Sequence, residues 1–139
     1  MIIVDTNVIS ELMRPAPEPH VLSWIGAQDI AELHVTAIAL AEIAYGVERL
    51  PGGRREALIR STAQEAIAAF RGRVMPFDEV AAPHYARIVS ERERAGRPME
   101  AFDGQVAAIC AAREAPLATR NAKDFEGTGL TVINPWQPS

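Results

Sequence analysis

Four carboxylates stand where surface solvation explains them poorly: Asp5, Glu42, Asp103 and Asp124. Asp5 directly follows Ile2-Ile3-Val4, a run without polar alternation that reads as a strand covered on both faces. It therefore falls at the carboxyl end of that strand, the edge where open α/β sheets bind ligands. Glu42 interrupts an apolar segment containing Ile38, Leu40, Ala41, Ile43 and Ala44. Burying a lone carboxylate costs several kcal/mol, so such a residue wants a partner or a metal ion. Asp103 stands at the start of an Ala-rich apolar helix, and Asp124 closes the segment Thr119-Arg120-Asn121-Ala122-Lys123-Asp124. Each acid has a plain local use as a helix cap, a turn residue or a solvated side chain. Glu100 can serve in either way beside Asp103. Together they say more. If the first and fourth strands are neighbours, Asp5 and the 119–124 loop meet at one edge, and the helices bearing Glu42 and Asp103 lean over it. Carboxylates so gathered repel at neutral pH, and divalent cations relieve the conflict. An all-oxygen donor set selects Mg²⁺ or Mn²⁺ over Zn²⁺ and suits metal-assisted phosphodiester hydrolysis by water.

The elements that must position these acids can be read along the chain. After the first strand, Thr6 or Asn7 caps a short helix through Met13, ended by Arg14-Pro15. His20–Ala27 reads as a second short helix and Glu32–Val35 as the second strand. Thr36 caps a helix over Ala37–Leu50, which Pro51-Gly52-Gly53 stops. Arg54–Phe70 is a longer helix with Leu58, Ile59, Ala63, Ala66 and Ile67 inward. Val74–Phe77 is a third strand, and its Pro76 suggests a sheet edge. Asp78 begins a helical region to about Ala95, with Tyr85, Ile88 and Val89 inward; its charge run Glu91-Arg92-Glu93-Arg94 reads as an exposed end. Phe102–Arg113, Pro116–Thr119 and Leu130–Ile133 supply a last helix and two strands. His34 and His84 read as structural, since no second His stands at metal-binding spacing. Strands alternating with helices imply βαβ units and one α/β domain with a mainly parallel sheet.

Composition narrows the function classes. A chain of 139 residues with 48% hydrophobic and 23% charged residues is an ordinary globular domain with room for a core. The single cysteine, Cys110, excludes an internal disulfide. No basic leader and no apolar run near the roughly 18 residues of a membrane span are present, so the expected location is cytoplasmic. A net charge of −4 argues against coating nucleic acid by bulk charge, yet metal-binding acids depress net charge without excluding a nuclease.

The ordered set of motifs resembles the PIN-domain ribonucleases, specifically the VapC/FitB-like toxins of type II toxin–antitoxin pairs. The resemblance runs nearly end to end. It is carried by Val4-Asp5-Thr6-Asn7-Val8-Ile9-Ser10-Glu11, Ala41-Glu42-Ile43-Ala44-Tyr45-Gly46-Val47, Met75-Pro76-Phe77-Asp78, Asp103 with Val106-Ala107-Ala108, Ala118-Thr119-Arg120-Asn121 with Asp124-Phe125, and Asn134-Pro135-Trp136. It implies that Asp5, Glu42, Asp103 and Asp124 are the family's acidic quartet, with Thr6, Thr119 and Asn121 as supporting polar residues; members vary between the positions of Asn121 and Asp124. It further implies a single PIN domain over 1–139 with a parallel sheet in the order 3-2-1-4-5 and helices on both faces. The implied activity is Mg²⁺-dependent (or Mn²⁺-dependent) endoribonuclease cleavage, on one or two ions. The implied partners are RNA, a second copy of the chain in a homodimer, and a VapB-like antitoxin, through which alone DNA is contacted. No membrane is involved.

Two other metal-binding α/β classes fit worse. A response-regulator receiver needs a Lys after its fifth strand, and none follows here. A haloacid-dehalogenase-type phosphatase needs an Asp two residues after its nucleophile, where this chain has Asn7. A PIN-like module that binds RNA or a partner without cutting is the alternative from a different class; the four acids argue against it.

Overall fold

The structure is a computed structural model that describes residues 1–138. The chain runs β1 (Ile2–Val4), α1 (Thr6–Leu12), α2 (Pro19–Gly26), β2 (Leu33–Thr36), α3 (Ala37–Glu48), α4 (Arg54–Ala68), β3 (Val74–Met75), α5 (Ala81–Arg94), α6 (Ala101–Arg113), β4 (Leu117–Ala118) and β5 (Val132–Ile133). Short 3₁₀ turns occupy Ile30–Glu32 and Ala122–Phe125. All strand pairs are parallel and the sheet order is β3-β2-β1-β4-β5, as the resemblance implies.

Strand periodicity divides the core in two. Val4 and Ala118 face α1 to α4, joined there by Val8, Val21, Val35, Ile43 and Ala63. Their strand neighbours Ile3 and Leu117 face α5 and α6 and meet Ile88, Val106 and Ile109. Successive strand side chains point to opposite faces, so a strand of two or three residues feeds both cores. That is why β1 and β4 carry no polar residue until the sheet ends.

Several local expectations change. The cap of α1 is Asp5, whose carboxylate accepts from Thr6 N, rather than Thr6 or Asn7. Thr36 caps α3 as expected, accepting from Ala39 N at 3.0 Å. β3 stops at Met75 and lies at the edge, leaving Pro76, which has no N–H for a ladder, outside it. Leu58 does not face inward: it is 68% exposed, because Ala63 rather than Leu58 is the fully buried contact of α4. The charge run at the end of α5 is not wholly exposed either, since Arg92 is buried. Among the described residues no helix is long and apolar enough to cross a membrane.

Candidate metal centre at the carboxyl edge of the sheet

Parallel register builds the site. Ile3 pairs with Leu117 and Val4 with Ala118, and Asp5 N donates to Ala118 O at 2.9 Å. The next residues on the two strands, Asp5 and Thr119, therefore emerge side by side. Thr119 Oγ1 donates to Asp5 Oδ2 at 2.9 Å. The same hydroxyl accepts from Asn7 Nδ2 at 3.0 Å and from Asn121 N at 3.1 Å. Asp5 Oδ1 accepts from Thr6 N at 2.9 Å, so the buried carboxylate is held from both sides. Helix capping and site placement are thus one geometry at Asp5, and the two readings of that residue do not compete.

Thr6 turns the other way, and its hydroxyl donates to Glu42 Oε1 at 3.0 Å across 36 residues of chain. This bond is the partner that Glu42 lacks within its own helix. Glu42 itself is half-buried, and α3 is less enclosed than its apolar sequence suggests: Ala41, Ala44 and Tyr45 beside it are exposed. Asp103 lies in the first turn of α6 and is half-buried, while Asp124 sits exposed in the 3₁₀ turn after β4.

All four acids line one cavity of about 630 Å³, together with Thr6, Asn121 and Glu100. Thr119 is fully buried behind it and acts on Asp5. Among the described residues no three His, Cys, Asp or Glu side chains converge tightly enough to grip an ion as they stand. They do feel one another. Burial raises Asp5 above the usual carboxylate range, against the lowering bonds from Thr119 and Thr6, and the charge of Asp124 adds to the rise. Glu42 is raised by burial and by the charges of Asp5 and Glu100, with the Thr6 bond opposing. Asp103 goes furthest, to about 6, from burial first and then from Asp5, Glu100, Asp124 and Glu42. Carboxylates with no competing His or Cys donor, three of them harder to ionise than usual, fit a hard divalent cation such as Mg²⁺ or Mn²⁺.

The chain's similarities agree with this geometry. The family pattern described as PIN domain matches residues 2–129. The chain belongs to the PIN-domain family. It is 40% identical to the VapC ribonuclease Y4jK of Sinorhizobium fredii, over the full length of both chains. It is 36% identical to the toxin FitB of Neisseria gonorrhoeae over 98% of this chain and 99% of that one. The solved structure of FitAB bound to the IR36 DNA fragment superposes with a TM-score of 0.92 at 36% identity, covering 100% of this chain and 98% of that one. The VapC/FitB branch of the PIN family is thus where this chain falls.

Three residues in or behind the cavity are not singled out by the sequence as parts of the candidate site. Asn7 ties the two loops together, donating to Thr119 Oγ1 and accepting from Arg120 N at 3.1 Å. Its position two residues after Asp5 was the available signal. Glu11 is buried and accepts from Glu18 N at 2.9 Å and from Arg14 Nη1 at 3.3 Å; the Glu18 N–H first, then Arg14, holds its carboxyl below the usual range. Arg92 donates through Nη1 to the carbonyls of Asp124 at 2.9 Å and Glu126 at 2.8 Å, and through Nε to Arg97 O at 2.7 Å. It fastens the turn bearing Asp124 to α5. The spacing Ala81, Tyr85, Ile88, Arg92 puts it on the inward stripe of that helix, which is the signal that its charged neighbours concealed.

Proposed function

We propose that this PIN domain is a Mg²⁺-dependent or Mn²⁺-dependent endoribonuclease toxin. The observation that carries the reading is the single cavity lined by Asp5, Glu42, Asp103 and Asp124, where burial and then the charges of its neighbours raise the Asp103 carboxyl to about 6. These four side chains would hold the ion. A bound divalent cation supplies charge neutralisation at the phosphate and a water acidic enough to act as nucleophile near neutral pH. The chain's own part is orientation. Thr119, Asn7 and the Thr6 N–H fix Asp5, the Thr6 hydroxyl aims Glu42, and Arg92 holds the Asp124 turn. Asn121 stands in the same cavity as a further polar contact.

Names borne by full-length relatives, a VapC ribonuclease and a FitB toxin, support cleavage of RNA as the harmful activity. The FitAB complex on DNA supports neutralisation by an antitoxin that carries the chain to DNA indirectly. A homodimer is proposed on the family resemblance, and light scattering of the purified chain tests it. The deciding experiment is cleavage of mixed cellular RNA by purified protein with Mg²⁺ or Mn²⁺ titrated against EDTA. Metal-dependent internal cuts are expected. RNA binding without cuts at any metal concentration would instead make the domain a non-cutting binder.

A further inference from the structure

An acid-lined cavity in a chain of net charge −4 does not by itself attract a polyanion. Its wall on one side is built differently. The cations lining it are Arg14 and Arg120, and the aromatic lining it is Trp136. The Arg120 guanidinium lies over the Trp136 ring, 5.2 Å from its centroid. No ion pair among the described residues uses Arg120, and its side chain is exposed. Both members are anchored from behind. Arg120 N donates to Asn7 Oδ1, which fixes its backbone to the Asp5 network, and Trp136 packs against the α1–α4 core while its backbone N–H donates to Asn134 Oδ1 at 2.9 Å. Arg14, 66% exposed, stands beside them on Glu11. A second, smaller cavity of about 200 Å³ shares Glu11, Arg14, Arg120 and Trp136 with the first and continues along the turn at Pro17–Pro19. A path therefore leads off the acidic site over a cationic and aromatic shelf.

We propose that the Arg120–Trp136 stack, with Arg14, is the subsite that holds the nucleotide next to the scissile phosphate in an unpaired RNA strand. The inference rests on the ribonuclease reading and names the substrate form. A planar guanidinium on an indole offers a base an extended face to stack on, while Arg14 and Arg120 supply donors to the flanking phosphates. Bases inside a duplex are already stacked on their neighbours and present no free face, so the shelf selects single strands. An acidic peptide would use the two arginines and gain little from the indole.

The test uses the full chain carrying Asp103→Asn, in Mg²⁺, and a short fluorescein-labelled single-stranded oligoribonucleotide followed by anisotropy. Adding Arg120→Ala is expected to weaken binding about tenfold and to lower the slope of log affinity against log salt by about one. Arg120→Lys is expected to keep the slope and lose the stacking share. Trp136→Leu, which retains an apolar contact with the core, is expected to weaken binding without changing the slope. The same sequence as a duplex is expected to bind more weakly than the single strand. Unchanged affinity in folded Arg120→Ala and Trp136→Leu proteins, or equal affinity for the duplex, overturns the proposal. So does displacement of the oligonucleotide by a poly-glutamate peptide at equal concentration, which marks a peptide site. Cleavage is scored separately in the chain bearing Asp103. Shelf-dependent binding without cleavage refutes the ribonuclease reading and leaves the shelf as a binding surface for unpaired RNA with no scissile phosphate beside it. Cleavage whose KM ignores Arg120 does the reverse.

Discussion

Arg92 Nη1 donates to the backbone carbonyl of Asp124 at 2.9 Å, across 32 residues, from a side chain that is only 7% exposed. A buried guanidinium is usually matched by a carboxylate; here its recorded partners are carbonyls of the segment 97–126. The arrangement makes Arg92 a positioning residue for the last acid of the site. Arg92→Met keeps most of the buried stem but strands three acceptors, and is expected to cost about 3 kcal/mol in urea denaturation. It is also expected to raise the metal concentration needed for half-maximal cleavage. Arg92→Lys, which can reach fewer of the carbonyls, should fall between the two. If only stability changes and the metal requirement does not, Arg92 merely supports the fold.

Asp103 separates activity from stability. Its carboxyl is held up by burial and by four neighbouring acids, so ionising it works against the native state. Asp103→Asn removes that repulsion at nearly constant volume. Cleavage is expected to fall by about a thousandfold, while the thermal midpoint measured in EDTA rises. Asp5→Asn should lose cleavage too, yet without the gain, because an amide cannot accept from Thr6 N, Thr119 and Asn7 together. Metal-dependent cleavage retained by both purified variants would refute the assignment of the site.

The contrast between these residues shows what was legible beforehand. Asp5 and Glu42 stand out because each breaks an apolar run, Asp103 because it opens an apolar helix and Asp124 because it closes the polar segment after a strand, and such patterns are local properties. The parallel sheet was legible for the same reason: Ile2-Ile3-Val4 and Pro116-Leu117-Ala118 are short, unbroken and followed by polar residues. Arg92 and Glu11 were hidden, since their roles come from contacts between distant segments, and burial of a charge leaves no mark in composition. Leu58 misled in the opposite direction. Its spacing from Ala63 matches no single stripe at 3.6 residues per turn, so hydrophobicity alone does not turn it inward.

The pH response of the metal-free chain follows from Asp103. Its native pKa of about 6 exceeds the ordinary 3.8, so between those values the folded state binds the proton and the unfolded state does not. Stability from this group is present in full below about pH 4, falls as pH rises toward 6, and is flat above. Asp5 and Glu42, shifted in the same direction, steepen the loss. Divalent cations compete with that proton, so Mn²⁺ affinity should rise roughly tenfold from pH 5 to pH 7. Urea titrations in EDTA should therefore lose stability over this range, whereas those with saturating Mn²⁺ should be nearly flat, because the bound ion leaves Asp103 deprotonated in the folded state as it is in the unfolded one. Parallel slopes would mean that the ion and the Asp103 proton do not share a site.

Two glycines, one packed and one free, test how tightly the helix carrying Asp103 must sit. Gly104 follows Asp103 on α6, and a Cβ there would lie 2.8 Å from Val89 Cγ2 and 2.9 Å from Tyr85 Cε2 on α5. A Cβ there requires the half-buried Val89 and Tyr85 side chains, or the spacing of α5 and α6, to shift. Gly104→Ala is expected to lose about 1–3 kcal/mol and to weaken metal-dependent cleavage by displacing Asp103 with its helix. Gly46, inside α3 with nothing within 4 Å of its Cβ position, is the opposite case. Gly46→Ala reduces the backbone freedom of the unfolded chain without a clash, and a gain of about 0.5–1 kcal/mol is expected. Urea midpoints for the two variants should move in opposite directions, with cleavage falling in the first alone. A Gly104→Ala protein as active and as stable as the parent would show that α6 can shift without disturbing the acidic cavity.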